Sequence, residues 1–238
     1  MRMNYGMNLN GKRVLVTGGA VRLGAAMVRA LQAAGAEVVV HYRNSKVEAE
    51  ALSPFIVQAD LQDLDACAGL IEQVGSLDIL INNASVFTKD SLTESSPEKV
   101  LREFNINLFA PMELMRAFAA QAKSGGAVIN LLDRRICCND ISCVPYSISK
   151  KGLAELTQLA ALEYAPRIRV NAVAPGPILP PPGGSVESAR ERAGKIPLEK
   201  MPTPEQVTEA VLFLLQADSI TGQVMYVDGG QHLLGNGV

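Results

Sequence analysis

The sequence predicts one α/β domain: a doubly wound parallel sheet of about seven strands with helices on both faces. Three observations predict it. Apolar, β-branched runs alternate with helical patterns along the chain, which calls for right-handed βαβ crossovers and a sheet covered on both sides. A glycine-rich turn follows the first run and opens the first helix. With 238 residues, 48% of them hydrophobic and 19% charged, the chain has the material for one large core and not for disorder.

The first strand is read over Arg13–Thr17, and the turn over Gly18 to Gly24. Gly24 to Ala34 carries helix formers with apolar spacing, and Gly35 stops it. Further strands are read over Glu37–Tyr42, Pro54–Asp60, Leu77–Asn82, Ala127–Leu132, Ile168–Ala174 and Gln223–Asp228, with helices between them. The last long helix opens on Thr203-Pro204-Glu205-Gln206. Thr203 suits the N-cap, Pro204 the first helical position and Gln206 the other half of a capping box. Val207, Val211, Leu214 and Leu215 then share a face. Pro175 to Gly184 holds five prolines and three glycines and is read as a loop leading to a short helix around Glu187 to Ala193. Residues 175–200 are thus expected to form a lid over a site. Nothing divides the chain, so residues 1–238 are taken as one domain.

Composition narrows the partners. A net charge of −2 offers no basic field for nucleic acid or an anionic membrane. No apolar run approaches the roughly 20 residues of a membrane span, and Met1 to Asn10 does not read as a signal peptide. Cys67, Cys137, Cys138 and Cys143 lack the spacing of a zinc site and are read as reduced thiols of a cytoplasmic protein. No metal is expected, and the partner is a small-molecule substrate.

Two motifs carry chemistry. In Thr17-Gly18-Gly19-Ala20-Val21-Arg22-Leu23-Gly24, the glycines permit a tight turn and close backbone approach to a pyrophosphate, and the helix N-terminus adds N–H groups and partial positive charge. That is the start of a Rossmann-like domain. Tyr146 and Lys150 lie four apart, on one helix face. A free phenol titrates near about 10. A neighbouring ammonium is expected to lower that value and let Tyr146 serve as a proton donor. The second strand ends His41-Tyr42-Arg43-Asn44-Ser45, with no carboxylate before Glu48. NAD-binding domains place an acidic residue there for the ribose 2′-hydroxyl. Arg43 and Ser45 can instead hold a 2′-phosphate, so the expected cofactor is NADP(H).

Taken in order, these motifs resemble the short-chain dehydrogenase/reductase family over nearly the whole chain. Thr17 to Gly24 resembles its Thr-Gly-x-x-x-Gly-x-Gly fingerprint, with Arg22 where the middle glycine usually stands. Asp60-Leu61 resembles the acidic pair near the adenine, Asn82-Asn83-Ala84 the Asn-Asn-Ala-Gly motif with Ser85 replacing its glycine, and Asn107 the helix asparagine. Tyr146-Ser147-Ile148-Ser149-Lys150 matches Tyr-x-x-x-Lys, and Pro175-Gly176 and Asp228-Gly229-Gly230 match later signatures. The resemblance implies that Lys150 binds the nicotinamide ribose, that Asn107 holds a water of the proton path, and that the protein is a homotetramer. It implies a cofactor site of Thr17, Gly18, Arg22, Leu23, Gly24, Tyr42, Arg43, Asn44, Ser45, Asp60, Leu61, Asn83, Ala84, Ser85, Tyr146, Lys150, Pro175 and Gly176.

One departure names a branch. The family's usual serine lies thirteen residues before the tyrosine, and that position here is Asp133. Asp133, Tyr146 and Lys150 are similar to the catalytic set of the pteridine reductases. Asn83-Ala84-Ser85-Val86-Phe87 and Arg22 also resemble that branch, in which the serine contacts cofactor and pterin and the phenylalanine stacks on the pterin ring. The substrate residues implied are Arg22, Ser85, Phe87, Asp133 and Tyr146. Two alternatives stay open: a carbonyl reductase of the 3-oxoacyl-carrier-protein kind that tolerates Asp133, and a non-enzymatic NADP-sensing protein.

Overall fold

The computed structural model describes residues 7–122, 124–180, 183–185, 187, 190, 191 and 193–235. The strands are β1 (Arg13–Val16), β2 (Glu37–Tyr42), β3 (Ile56–Gln58), β4 (Ile79–Asn82), β5 (Gly126–Leu131), β6 (Ile168–Pro175) and β7 (Val224–Val227). Between them run α1 (Arg22–Ala33), α2 (Lys46–Leu52), α3 (Leu64–Val74), α4 (Pro97–Phe104), α5 (Ala110–Gln121), α6 (Val144–Tyr164) and α7 (Pro204–Gln216). All seven expected strands form, each within a few residues of its expected bounds. The largest difference is β3, which keeps only the centre of the expected Pro54–Asp60.

The strands make one parallel sheet in the order β3-β2-β1-β4-β5-β6-β7. Strand alternation sends successive side chains to opposite layers. Val14 and Val16 pack on α1 and α7 through Met27, Val28, Leu31, Val211 and Leu214. Leu15, Leu80 and Val128 pack on α3 and α5 through Leu70, Leu114 and Phe118. This two-sided burial is why the strands read as continuous apolar runs. The capping box of α7 forms as expected: the Thr203 hydroxyl accepts from the Gln206 N–H, and the Gln206 side chain accepts from the Thr203 N–H.

Strand order reverses beside β1, whose neighbours are β2 and β4. In open α/β sheets the crevice outside the strand ends at such a point receives the ligand. One element is irregular in a way no periodicity announces. Residues Asn105–Phe109 form a π-helical turn joining α4 to α5, and such turns cluster at functional sites. The short helix expected around Glu187 to Ala193 lies largely outside the described residues.

Candidate active site

A groove of about 430 Å³ opens at the carboxyl ends of β1 to β4. Of the expected cofactor residues, Gly18, Arg22, Leu23, Gly24, Tyr42, Arg43, Asn44, Ser45, Asp60, Leu61, Asn83, Ala84 and Ser85 line it. Ala20, Val21, His41, Ala59, Val86 and Ile106 line it as well, and the sequence reading missed them. Thr17, Tyr146, Lys150, Pro175 and Gly176 do not. Thr17 is buried, and its hydroxyl accepts from the N–H groups of Asn83 and Ala84 at 2.9 and 3.0 Å. It ties the β1 turn to the β4 turn and does not reach into the groove. Gly176 sits where β6 passes the β7 turn: a Cβ there would lie 2.9 Å from the Asp228 Cα.

The turn is built for close packing. A Cβ on Gly24 would lie 2.1 Å from the Gly18 carbonyl oxygen, and Gly18 takes a φ of 59°. The Asn83 amide donates to the carbonyls of Thr17 and Gly18 at 2.8 and 3.1 Å. His41 is the clamp that the sequence reading left without a role. Its Nδ1 accepts from the Gly18 N–H at 3.0 Å, so its Nε2–H donates to the Ala59 carbonyl at 3.1 Å. Burial pushes its pKa down to about 4, so the ring stays neutral and the tautomer is fixed. Arg22 occupies the fingerprint's glycine position with a φ of 55°, and its guanidinium donates to the Pro180 carbonyl at 2.8 Å. A bare cradle at a helix N-terminus, with a groove leading from it to Arg43 and Ser45, fits a dinucleotide with an added phosphate. The Ser45 hydroxyl makes no capping bond to α2 and is free for such a phosphate.

The catalytic candidates converge beyond β5. The Tyr146 hydroxyl donates to Asp133 Oδ2 at 3.0 Å. Lys150 is buried, and its Nζ donates to the Leu131 carbonyl at 2.8 Å. The Phe87 ring stands at 90° to the Tyr146 ring, 4.8 Å between centroids, with 46% of the residue exposed. Burial pushes the Tyr146 phenol well above its ordinary value, and Asp133 adds to the effect. This corrects the expected lowering by Lys150: the partner in contact is an anion, and the ammonium lies 6.0 Å from the ring centroid. Burial lowers Lys150 to about 8.

Asn107 lies in the π-helical turn with no exposed surface, and its amide is already engaged. Its Oδ1 accepts from the Ser85 hydroxyl and the Val86 N–H, both at 2.9 Å, and its Nδ2 donates to the Val86 carbonyl at 2.9 Å and to Glu103 Oε2 at 2.7 Å. Its side chain therefore fixes the Ser85–Phe87 segment that follows β4. Glu103, buried and pushed up by desolvation, also accepts from the Thr88 N–H at 2.7 Å and from the Thr88 hydroxyl. Its position four residues before Asn107, on the same face, was the available signal. Arg135 was missed too. It follows Asp133 by two residues, and its guanidinium meets that carboxylate at 3.2 Å and lies 5.4 Å over the Phe87 ring.

A nucleotide-sized groove at the sheet's switch point, together with a tyrosine, a lysine and an aspartate gathered beyond β5, defines a dinucleotide-dependent oxidoreductase. Residues 19–232 match the family model described as enoyl-(acyl carrier protein) reductase. The chain belongs to the short-chain dehydrogenase/reductase family. It is 33% identical to L-xylulose reductase of Cavia porcellus, covering 94% of this chain and 98% of that one, and 32% identical to carbonyl reductase [NADPH] 2 of Sus scrofa over the same shares. Among solved structures it is similar to FolM alternative dihydrofolate reductase 1 of Brucella canis complexed with NADP. There the identity is 35%, the TM-score 0.87, and the coverage 95% of this chain and 96% of that one. Among the described residues, no helix is long and apolar enough to cross a membrane, and no cluster suits a metal ion.

Proposed function

We propose that this chain is an NADPH-dependent reductase of pterins or dihydropterins. The observation that carries the reading is the Tyr146 hydroxyl donating to the Asp133 carboxylate at 3.0 Å, beside the half-exposed Phe87 ring. NADPH, when bound, supplies hydride to the substrate carbon. The phosphate turn of Gly18 to Gly24 would hold its pyrophosphate, Arg43 and Ser45 its 2′-phosphate, and Lys150 its nicotinamide ribose. Tyr146, a neutral phenol in this environment, gives its proton to the ring nitrogen next to that carbon. The Lys150 ammonium offsets the phenolate left behind. Asp133 accepts hydrogen bonds from the N–H and amino groups of a pterin edge, where it would repel the oxyanion formed from a ketone. Phe87 offers a face for the flat ring, worth about 0.5–1.5 kcal/mol beyond burial. The NADP-bound dihydrofolate reductase relative supports the same reading.

NADPH oxidation with dihydrobiopterin or dihydrofolate, set against acetoacetyl thioesters, tests it. Turnover of the pterins alone is expected, and Tyr146→Phe should lose about 10²–10⁴ of it while still binding NADPH. A protein that reduces ketones well and ignores every pterin would establish the second reading, a carbonyl reductase, which the L-xylulose and carbonyl reductase relatives favour. A purely NADP-sensing protein would have no need of Tyr146 and Lys150. We further propose a cytoplasmic homotetramer. Four free thiols support the compartment. Exposed Leu101, Met112, Leu159 and Leu162 on α4, α5 and α6 support a covered helical face. Light scattering on the purified protein should give about four times the 25.4 kDa chain mass.

A further inference from the structure

We propose that Arg135 is a positioning residue of the active site: its guanidinium bridges Asp133 to Asp140 and holds the Asp133 carboxylate against the Tyr146 hydroxyl. The proposal rests on the reading of Asp133 and Tyr146 as the proton-handling pair. Asp133 caps the 3₁₀ turn Arg134–Cys137, and its Oδ1 accepts from the Arg135 N–H at 2.8 Å. The same arginine returns its Nη1 to Oδ2 at 3.2 Å, the oxygen that receives the Tyr146 hydroxyl at 3.0 Å. Its Nε is fixed at 3.0 Å on Asp140 Oδ2, and Asp140 is tied in turn by the Ser142 N–H and hydroxyl at 2.9 and 2.6 Å. The fork therefore has two anchors, and the aromatic ring of Phe87 lies 5.4 Å from its carbon. A planar guanidinium can make such a bridge; a lysine ammonium cannot span it.

Every other charge near Asp133 is worse placed to support it. Lys150 and Tyr146 face it from α6, but the Lys150 Nζ donates to the Leu131 carbonyl. Glu103 on α4 is an acid, as is Asp140. The Cys138 and Cys143 thiols are pushed up by burial and remain neutral. Among the described residues, Arg134, the neighbour on the turn, makes no hydrogen bond or ion pair with the carboxylate, and Arg135 is the cation hydrogen-bonded to Asp133. An opposite charge at this range moves a carboxyl titration by about 1–3 pH units. Without Arg135, Asp133 would sit beside a buried phenol with no counter-charge. The carboxylate would lose the partner that holds its Oδ2 toward the Tyr146 hydroxyl.

The test compares the wild type with Arg135→Gln and Arg135→Lys in two measurements. The first is carboxyl ¹³C NMR of Asp-labelled protein, with the Asp133 signal identified by its absence in Asp133→Asn. The second is the pH profile of kcat/KM with NADPH and whichever substrate the wild type reduces, dihydrobiopterin or an acetoacetyl thioester. Arg135→Gln is expected to move the Asp133 titration, and the acid limb of kcat/KM with it, up by about one pH unit or more. Arg135→Lys is expected to return the limb toward the wild-type position while kcat stays several-fold low, because charge is restored and the bridge is not. An Asp133 titration that does not move in Arg135→Gln overturns the proposal, whatever the substrate. A moved titration in a protein that reduces no pterin leaves Arg135 its role and removes only the pterin reading. Should Arg135→Gln not fold, full wild-type kcat in Arg135→Lys overturns the bridge, and a several-fold loss with the acid limb in place supports it.

Discussion

Arg22 and His41 show how single residues set the cofactor turn. A non-glycine residue in the left-handed region costs about 1–3 kcal/mol, and Arg22 accepts that cost at a φ of 55° where the fingerprint has glycine. What it gains is a cation at the pyrophosphate turn, bonded to Pro180 of the loop beyond β6. Arg22→Gly should therefore raise the melting temperature of the cofactor-free protein by a few degrees. Relief of the strain exceeds the extra freedom glycine adds to the unfolded chain. The same variant should bind NADPH about tenfold more weakly, as loss of one charge-assisted bond implies. A fall in melting temperature would show that the Pro180 contact outweighs the strain. His41 makes stability depend on pH. Its folded pKa is near 4, against an ordinary 6.5, so the unfolded state binds the proton first. Stability from this residue is complete above about pH 6.5 and is lost as pH falls toward 4, by about 3 kcal/mol. Denaturant titrations across that window should show the loss in the wild type and a smaller one in His41→Asn.

At the scale of elements, the site is a set of strand ends held together by small contacts. The first turn of α1 comes within contact of the β1 and β4 turns only because residue 24 has no side chain. Gly24→Ala places a Cβ 2.1 Å from the Gly18 carbonyl and 2.9 Å from the Asn83 amide nitrogen. Backbone must move to relieve it, so the variant should lose about 1–3 kcal/mol of stability. NADPH binding should fall more than the stability of the cofactor-free protein does, because the displaced atoms form the cradle; calorimetric titration beside thermal melts checks this. The π-helical turn does comparable work between α4 and α5. It turns Asn107 onto Ser85 and Val86 while Glu103, at the end of α4, holds Thr88, so the two together brace both sides of Phe87. The short 3₁₀ turn after β5 places Asp133 on Tyr146 and Arg135 on Asp133 by the same economy.

At the scale of the whole molecule, strand order decides where these ends meet. With β2 on one side of β1 and β4 on the other, the turns after all three face one crevice, and β3 supplies Asp60 and Leu61 to its rim. The end of β2 carries Arg43 and Ser45 and no acid at one edge of the groove, and the proposed function places cofactor choice there and reduction at β5 and α6. The expected outcome is NADPH binding at least tenfold tighter than NADH, since each charge-assisted bond to the extra phosphate contributes about 1.5–3 kcal/mol. Parallel titrations with the two cofactors measure it. Equal affinities would mean that Arg43 points to solvent when the cofactor is bound.

The strands, the glycine turn and the Tyr146–Lys150 pair were legible in the sequence because each is a local matter. Burial on both faces writes continuous apolar runs into β1, β2 and β4, a tight turn needs glycines at Gly18 and Gly24, and a helix brings residues four apart together. The capping box at Thr203 was legible for the same reason. What the tertiary structure decided are contacts between distant segments. Desolvation by surrounding chain, with the Asp133 carboxylate in contact, raised the Tyr146 phenol where local spacing to Lys150 pointed the other way. Thr17 turned its hydroxyl inward because the β4 turn needed partners for its N–H groups. His41, Glu103 and Arg135 acquired roles only once the strand ends and the π-helical turn had brought Gly18, Thr88 and Asp140 within reach. A sequence shows the period and the turn chemistry of its own segments; hydrogen-bond partners and desolvation between separate segments, such as His41 on Gly18, are fixed by packing.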